Sequence, residues 1–176
     1  MGQQLSTSNI PPEDLPFLLE ISNFSEKDLD KLYLRFQHLD KQKTGYLTSK
    51  ELQLPELAVN PLADRITSVI FEHGKLDFKK FVETIQIFSK NAKRETKLEF
   101  AFKVYDVDCD GFISYSDLFQ IIRAMAGNSL SDLQVGKIVE DTINENDQDN
   151  DGMLKLDEFK RALFDTDIDS FLTIKL

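Results

Sequence analysis

One hundred and seventy-six residues, 41% hydrophobic and 30% charged, are enough to bury a self-sufficient core and exclude a wholly disordered chain. Twenty-one Lys and Arg against thirty-one Asp and Glu leave a net charge of −10, which opposes nucleic-acid binding and suits cations or basic partners. The single cysteine, Cys109, cannot form an internal disulfide, and no apolar run reaches the ~18 to 20 residues of a membrane span, so a cytoplasmic location is expected.

Residues 1–23 read as an arm carrying Pro11, Pro12 and Pro16. Met1-Gly2-Gln3-Gln4-Leu5-Ser6 fits the myristoylation pattern M-G-x-x-x-[ST], making Gly2 a candidate lipidation site, although an ordinary solvated tail fits as well. One acyl chain would give only reversible membrane contact. Ser25-Glu26-Lys27-Asp28 then marks a helix start, and the helix carries Leu32, Leu34, Phe36 and Leu39. From there one unit repeats: an apolar-periodic helix, a polar segment containing Gly, a β-type Leu or Ile, and a second helix. Four such units predict an all-α fold of two lobes, residues 24–91 and 92–164, followed by a tail at 165–176. Ser89 to Glu95 between the lobes is polar and reads as a linker or as the solvated part of a continuous helix. In the second lobe, Gly127-Asn128 predicts a helix stop and Ser131-Asp132-Leu133-Gln134 a capping box. Leu47, Leu76, Ile113 and Leu154 are the positions expected to pair, briefly, as β.

The polar segments are where chemistry enters. A twelve-residue calcium loop supplies hard oxygens from positions 1, 3, 5, 7, 9 and 12, with Gly at position 6 for the sharp turn. Residues 147–158 meet this with Asp147, Asp149 and Asp151, then Gly152, the Met153 carbonyl and the bidentate Glu158; Lys155 at position 9 could serve only through backbone or water. Residues 106–117 offer Asp106, Asp108, Asp110, Gly111, the Phe112 carbonyl and Ser114, but close on Asp117. Asp is one methylene shorter than Glu, so the third loop is expected to bind calcium more weakly or to tolerate Mg²⁺. The first loop keeps Asp40, Gly45 and Glu51 but has Gln42, Thr44 and Thr48 at the other ligand positions, with Lys41 and Lys43 beside them, so weak binding or none is expected. The second, around residues 72–77, is cut short and has Lys80 where a bidentate carboxylate belongs, which makes it structural only. Two calcium ions are therefore expected. No nucleophile, base and oxyanion donor occur together, and the only histidines are His38 and His73, so no enzymatic activity is expected.

These loops identify EF-hands, and longer stretches narrow the resemblance. Residues 55–62 (PELAVNPL), 97–106 (KLEFAFKVYD) and Asp117-Leu118-Phe119-Gln120 resemble the calcineurin B family, and residues 57–66 with the shortened second loop are similar to its calcineurin B homologous branch. The resemblance implies a non-catalytic regulatory subunit whose paired lobes form an apolar trough for an amphipathic partner helix. In this family that helix comes from the calcineurin catalytic subunit or from a sodium/proton exchanger. Fourteen Phe, together with Ile121, Met125, Leu163 and Phe164, agree with surplus apolar surface for such a groove. Phe171, Leu172, Ile174 and Leu176 make the tail apolar, and it reads either as permanent packing or as a plug competing with the partner helix. A passive calcium buffer and a myristoyl-switch sensor at membranes are the alternative functions.

Overall fold

The computed structural model of the chain describes residues 10–52 and 60–168. Gly2, residues 55–59 of the family motif and the apolar end of the tail lie outside these residues. Eight helices run in order among the described residues: α1 (Leu15–Ile21), α2 (Glu26–Leu39), α3 (Ala63–Ile70), α4 (Phe78–Ile87), α5 (Arg94–Tyr105), α6 (Tyr115–Ala126), α7 (Asp132–Asn146) and α8 (Leu156–Ala162).

Local chemistry explains several of the helix ends. Ser25, Asp77, Ser114 and Ser131 each accept a backbone N–H from three residues on, satisfying a donor that a helix start leaves unpaired. At Ser131 the box is complete, since Gln134 accepts the Ser131 N–H at 2.9 Å in return. Helix α6 stops where Gly127 takes a φ of 53°, a value that costs Gly little.

The two halves are closed by short antiparallel contacts. Leu47 and Leu76 exchange N–H···O bonds of 2.7 and 2.9 Å, and Ile113 and Leu154 exchange two of 2.9 Å. All four side chains are buried, so each bridge ties a pair of loops back to back over apolar core.

The first pair is built on aromatic packing. Phe36 of α2 lies 5.5 Å from both Phe78 and Phe81 of α4, and Tyr33 lies 4.8 Å from Phe78 in an edge-on arrangement. The N-terminal arm contributes more than a tether: its residues 15–21 form α1, whose Leu18 is fully buried against this core.

The polar stretch after α4 is a break in the helix. Phe88, at its start, is buried and packs edge-on against Phe100 of α5 at 5.2 Å. Helix α5 is apolar around much of its circumference, with Leu98, Phe100, Ala101, Phe102 and Val104 all buried. It can be so because α3 and α4 cover one side while α6 and α8 cover another. Arg65 of α3 adds a polar clasp, donating to the backbone carbonyls of Lys103 (2.7 Å), Val104 (3.1 Å) and Asp106. At the opposite end Arg94 donates to the carbonyls of Leu163, Phe164 and Thr166 beyond α8.

Candidate metal centres

Three loops share one backbone path. Lys43, Cys109 and Asn150 stand at position 4 with φ of 53°, 61° and 60°, and Gly45, Gly111 and Gly152 stand at position 6 with φ of 78°, 91° and 86°. Position 1 organises each turn from the inside. Asp106 accepts the N–H groups of Asp110 (3.1 Å) and Gly111 (3.0 Å), and Asp147 accepts those of Asn150 (2.8 Å), Asp151 (3.3 Å) and Gly152 (2.7 Å). Asp40 does the same for Thr44 (2.9 Å) and Gly45 (2.7 Å), and these bonds hold its carboxyl below the usual carboxylate range.

Among the described residues, two groups of carboxylates come together: Asp106, Asp108 and Asp110 in the third loop, and Asp147, Asp149 and Asp151 in the fourth. One oxygen from each member lies within 4.8 Å of the others. Oxygens bound to one calcium at 2.3 to 2.6 Å are separated by no more than about 5 Å, so both groups suit a shared ion. The donors are hard oxygens throughout, and no sulfur or nitrogen ligand stands among them, which fits calcium or magnesium rather than a softer metal. The third loop bears the cost of this crowding. Asp108 is held above the usual carboxylate range by partial desolvation and by the charges of Asp117, Asp110 and Asp106.

The position-12 carboxylates face the loop backbone instead. Glu158 is buried and accepts the N–H of Gln148 (2.8 Å) on one oxygen and of Lys155 (2.9 Å) on the other. Asp117 is 2% exposed and accepts Val107 N–H (3.2 Å) on one oxygen and Ser114 N–H (2.9 Å) and Oγ–H (2.5 Å) on the other. Despite its shorter side chain, Asp117 thus spans the same two points of its loop, positions 2 and 9, as Glu158 does. We expect Asp117→Glu to tighten calcium over magnesium at the third loop by about three- to tenfold, because the extra methylene favours bidentate reach to a large ion. Competition titrations of the two ions check this, and unchanged selectivity would mean that Asp117 already serves in full.

In the first loop the ligand positions are occupied with one another. Thr44 Oγ donates to the Tyr46 carbonyl at 3.0 Å, joining positions 5 and 7, while Glu51 accepts Thr48 N–H and Oγ–H at 2.9 and 2.8 Å. In the shortened second unit Asp77 caps α4, Lys80 pairs with Glu83 at 2.8 Å, and Glu72 pairs with Lys103 at 3.0 Å. Phe112 and Met153 hold their positions by donating N–H to Asp110 (2.9 Å) and Asp151 (3.1 Å). Cys109 is exposed, with its sulfur 3.7 Å from the Arg65 guanidinium.

Two side chains at the loops make contacts that spacing rules do not reveal. Arg65 reaches the third loop from 41 residues away, at the Asp106 carbonyl. Lys155 folds back over its own loop, pairing with Asp149 and, at 2.6 Å, with Asp151. The ammonium lowers the Asp149 carboxyl, so position 3 is shifted in opposite directions in the two loops.

A family profile describing an EF-hand domain pair matches residues 95–164, the segment that holds both carboxylate groups. The calcineurin B subunit of Naegleria gruberi is 42% identical over 97% of this chain and 98% of its own length. The chain belongs to the calcineurin B family. The type 1 calcineurin B subunit of Dictyostelium discoideum is 46% identical over 90% of this chain and 89% of its own length. For the calcineurin B subunit of Candida glabrata the figures are 39%, 94% and 96%. As a calcineurin B family member, the chain is a calcium-binding regulatory subunit in class and not an enzyme. Among the described residues, no helix is long and apolar enough to cross a membrane.

Proposed function

We propose that this chain is the regulatory subunit of a calcineurin-type phosphatase, binding two calcium ions and gripping an amphipathic helix of the catalytic subunit from the cytosol. The observation that carries the reading is the pair of carboxylate groups in loops joined back to back, on a chain alignable with calcineurin B proteins over nearly its whole length. The third and fourth loops take the ions, through Asp106, Asp108, Asp110, the Phe112 carbonyl and Asp117, and through Asp147, Asp149, Asp151, the Met153 carbonyl and Glu158. The first loop binds weakly or not at all, because only Asp40 and Glu51 among its ligand positions carry charge and Lys41 and Lys43 stand beside them.

Exposed apolar side chains support the reading of a helical partner. Leu34, Met125 and Phe164 are 53%, 46% and 76% exposed, large apolar groups of the kind that helix-in-groove recognition uses. Ile121 belongs to the core at 3% exposure, so α6 offers Met125 without it. Calorimetric titration of the full chain is expected to show two calcium-binding events, and capture with an immobilised amphipathic helix from a calcineurin catalytic subunit is expected to retain it. Four strong sites would overturn the assignment of the loops. Retention by an exchanger juxtamembrane helix and not by the phosphatase helix would move the chain to the other partner class.

A further inference from the structure

We infer that Lys155 is a built-in counter-ion of the fourth loop, competing with calcium for Asp149 and Asp151 and thereby setting how tightly that loop binds the ion. The inference rests on the reading of that loop as a calcium site and adds a determinant of its affinity.

The geometry starts with which oxygens are already committed. Asp147 spends both oxygens on the N–H groups of Asn150, Asp151 and Gly152, and Asp151 Oδ1 accepts from Met153 N–H. What projects from the turn is Asp149 Oδ2 and Asp151 Oδ2, and the Lys155 ammonium pairs with both. Its backbone is held in place independently, since Lys155 N–H donates to Glu158 at 2.9 Å at the start of α8. A position-9 lysine anchored there has a stem long enough to swing its charge across the loop, where a serine has not. The third loop supplies that comparison within the same molecule. Ser114, its position-9 residue, gives its hydroxyl to Asp117, and among the described residues no ammonium or guanidinium pairs with Asp108 or Asp110.

An ammonium and a divalent ion drawn to the same carboxylates repel each other at such short range. Calcium entering the fourth loop must release Lys155, whereas calcium entering the third relieves carboxylates that repel one another. Exposed ion pairs are individually weak, so the competition should cost the fourth loop several-fold in affinity and not abolish binding.

The test is a calcium titration of the full chain followed by the backbone amide resonances of Gly152 and Gly111. Each of these N–H groups bonds the position-1 aspartate of its own loop, so each resonance reports its own site. In Lys155→Ala the Gly152 midpoint is expected to fall by roughly three- to tenfold, with a smaller change at Gly111. Lys155→Arg, which keeps the charge, should stay near the parent chain. Lys160→Ala removes an equal charge that pairs with Glu95 and Glu99 on α5, and should not reproduce the effect. An unmoved or weakened Gly152 midpoint in Lys155→Ala, or an equal shift in Lys160→Ala, overturns the inference while leaving the loop a calcium site. If Gly152 answers calcium in neither the parent nor Lys155→Ala, the calcium reading of the loop fails, and this inference with it.

Discussion

Glu158→Gln is expected to weaken calcium at the fourth loop on the order of 100-fold, leaving one strong binding event where two are expected of the parent chain. The substitution keeps size and burial but removes the negative charge at the one position able to offer a divalent ion two oxygens at once. It also disturbs the loop before any ion arrives. Glu158 accepts one backbone N–H on each carboxylate oxygen in a site with 3% exposure, and an amide can accept on only one side. The remaining N–H then faces an NH₂ group, a mismatch costing about 1 to 3 kcal/mol. Calorimetry should therefore lose an event, the Gly152 amide should stop responding at moderate calcium, and the melting temperature without calcium should drop. The calcium-induced rise in stability should shrink too, because an ion at a hundredfold excess over its Kd contributes about 2.7 kcal/mol per site. The third loop should weaken only modestly, through the Ile113 and Leu154 bridge that joins the two. Two events of parental affinity would reduce Glu158 to a helix cap.

Phe81→Ala should destabilise the chain by about 3 to 5 kcal/mol, and by the same amount whether calcium or a chelator is present. Phe81 has no exposed surface and stands 5.5 Å from Phe36 and 6.5 Å from Phe78, so truncation leaves a cavity between α2 and α4 that rigid aromatic neighbours fill poorly. The independence from calcium follows from how the first pair of units is held. Its loop is closed by Asp40 on Thr44 and Gly45 and by Glu51 on Thr48, bonds that need no ion. Denaturant titrations in both conditions measure the two differences directly. A loss that becomes larger in calcium would mean that an ion binds in the first pair after all and that the cavity weakens it.

The two carboxylate groups were legible because an EF-hand ties ligand chemistry to fixed intervals: a residue type at positions 1, 3, 5, 6 and 12 is meaningful without knowing anything distant. The same locality made the helix starts at Ser25 and Ser131, the stop at Gly127 and the pairing of Leu47 with Leu76 readable, each being decided within a few residues or by one repeated offset. Within the arm, the same kind of reading gave prolines and no helix; Pro16 in the first turn is a local start signal, and packing against α2 and α4 completes α1 by burying Leu18. Ile121 and Met125 are four residues apart and look equivalent along the chain, yet one enters the core and the other remains exposed, because the neighbours of α6 cover just one of them. Arg65 could not be connected to the third loop from sequence, since its carbonyl partners are 38 to 41 residues away and any carbonyl can accept. Lys155 is the instructive case between these extremes. Its position beside the aspartates was plain, but whether its charge points to water or across the loop depends on which carboxylate oxygens the folded turn leaves uncommitted, and only the tertiary structure decides that.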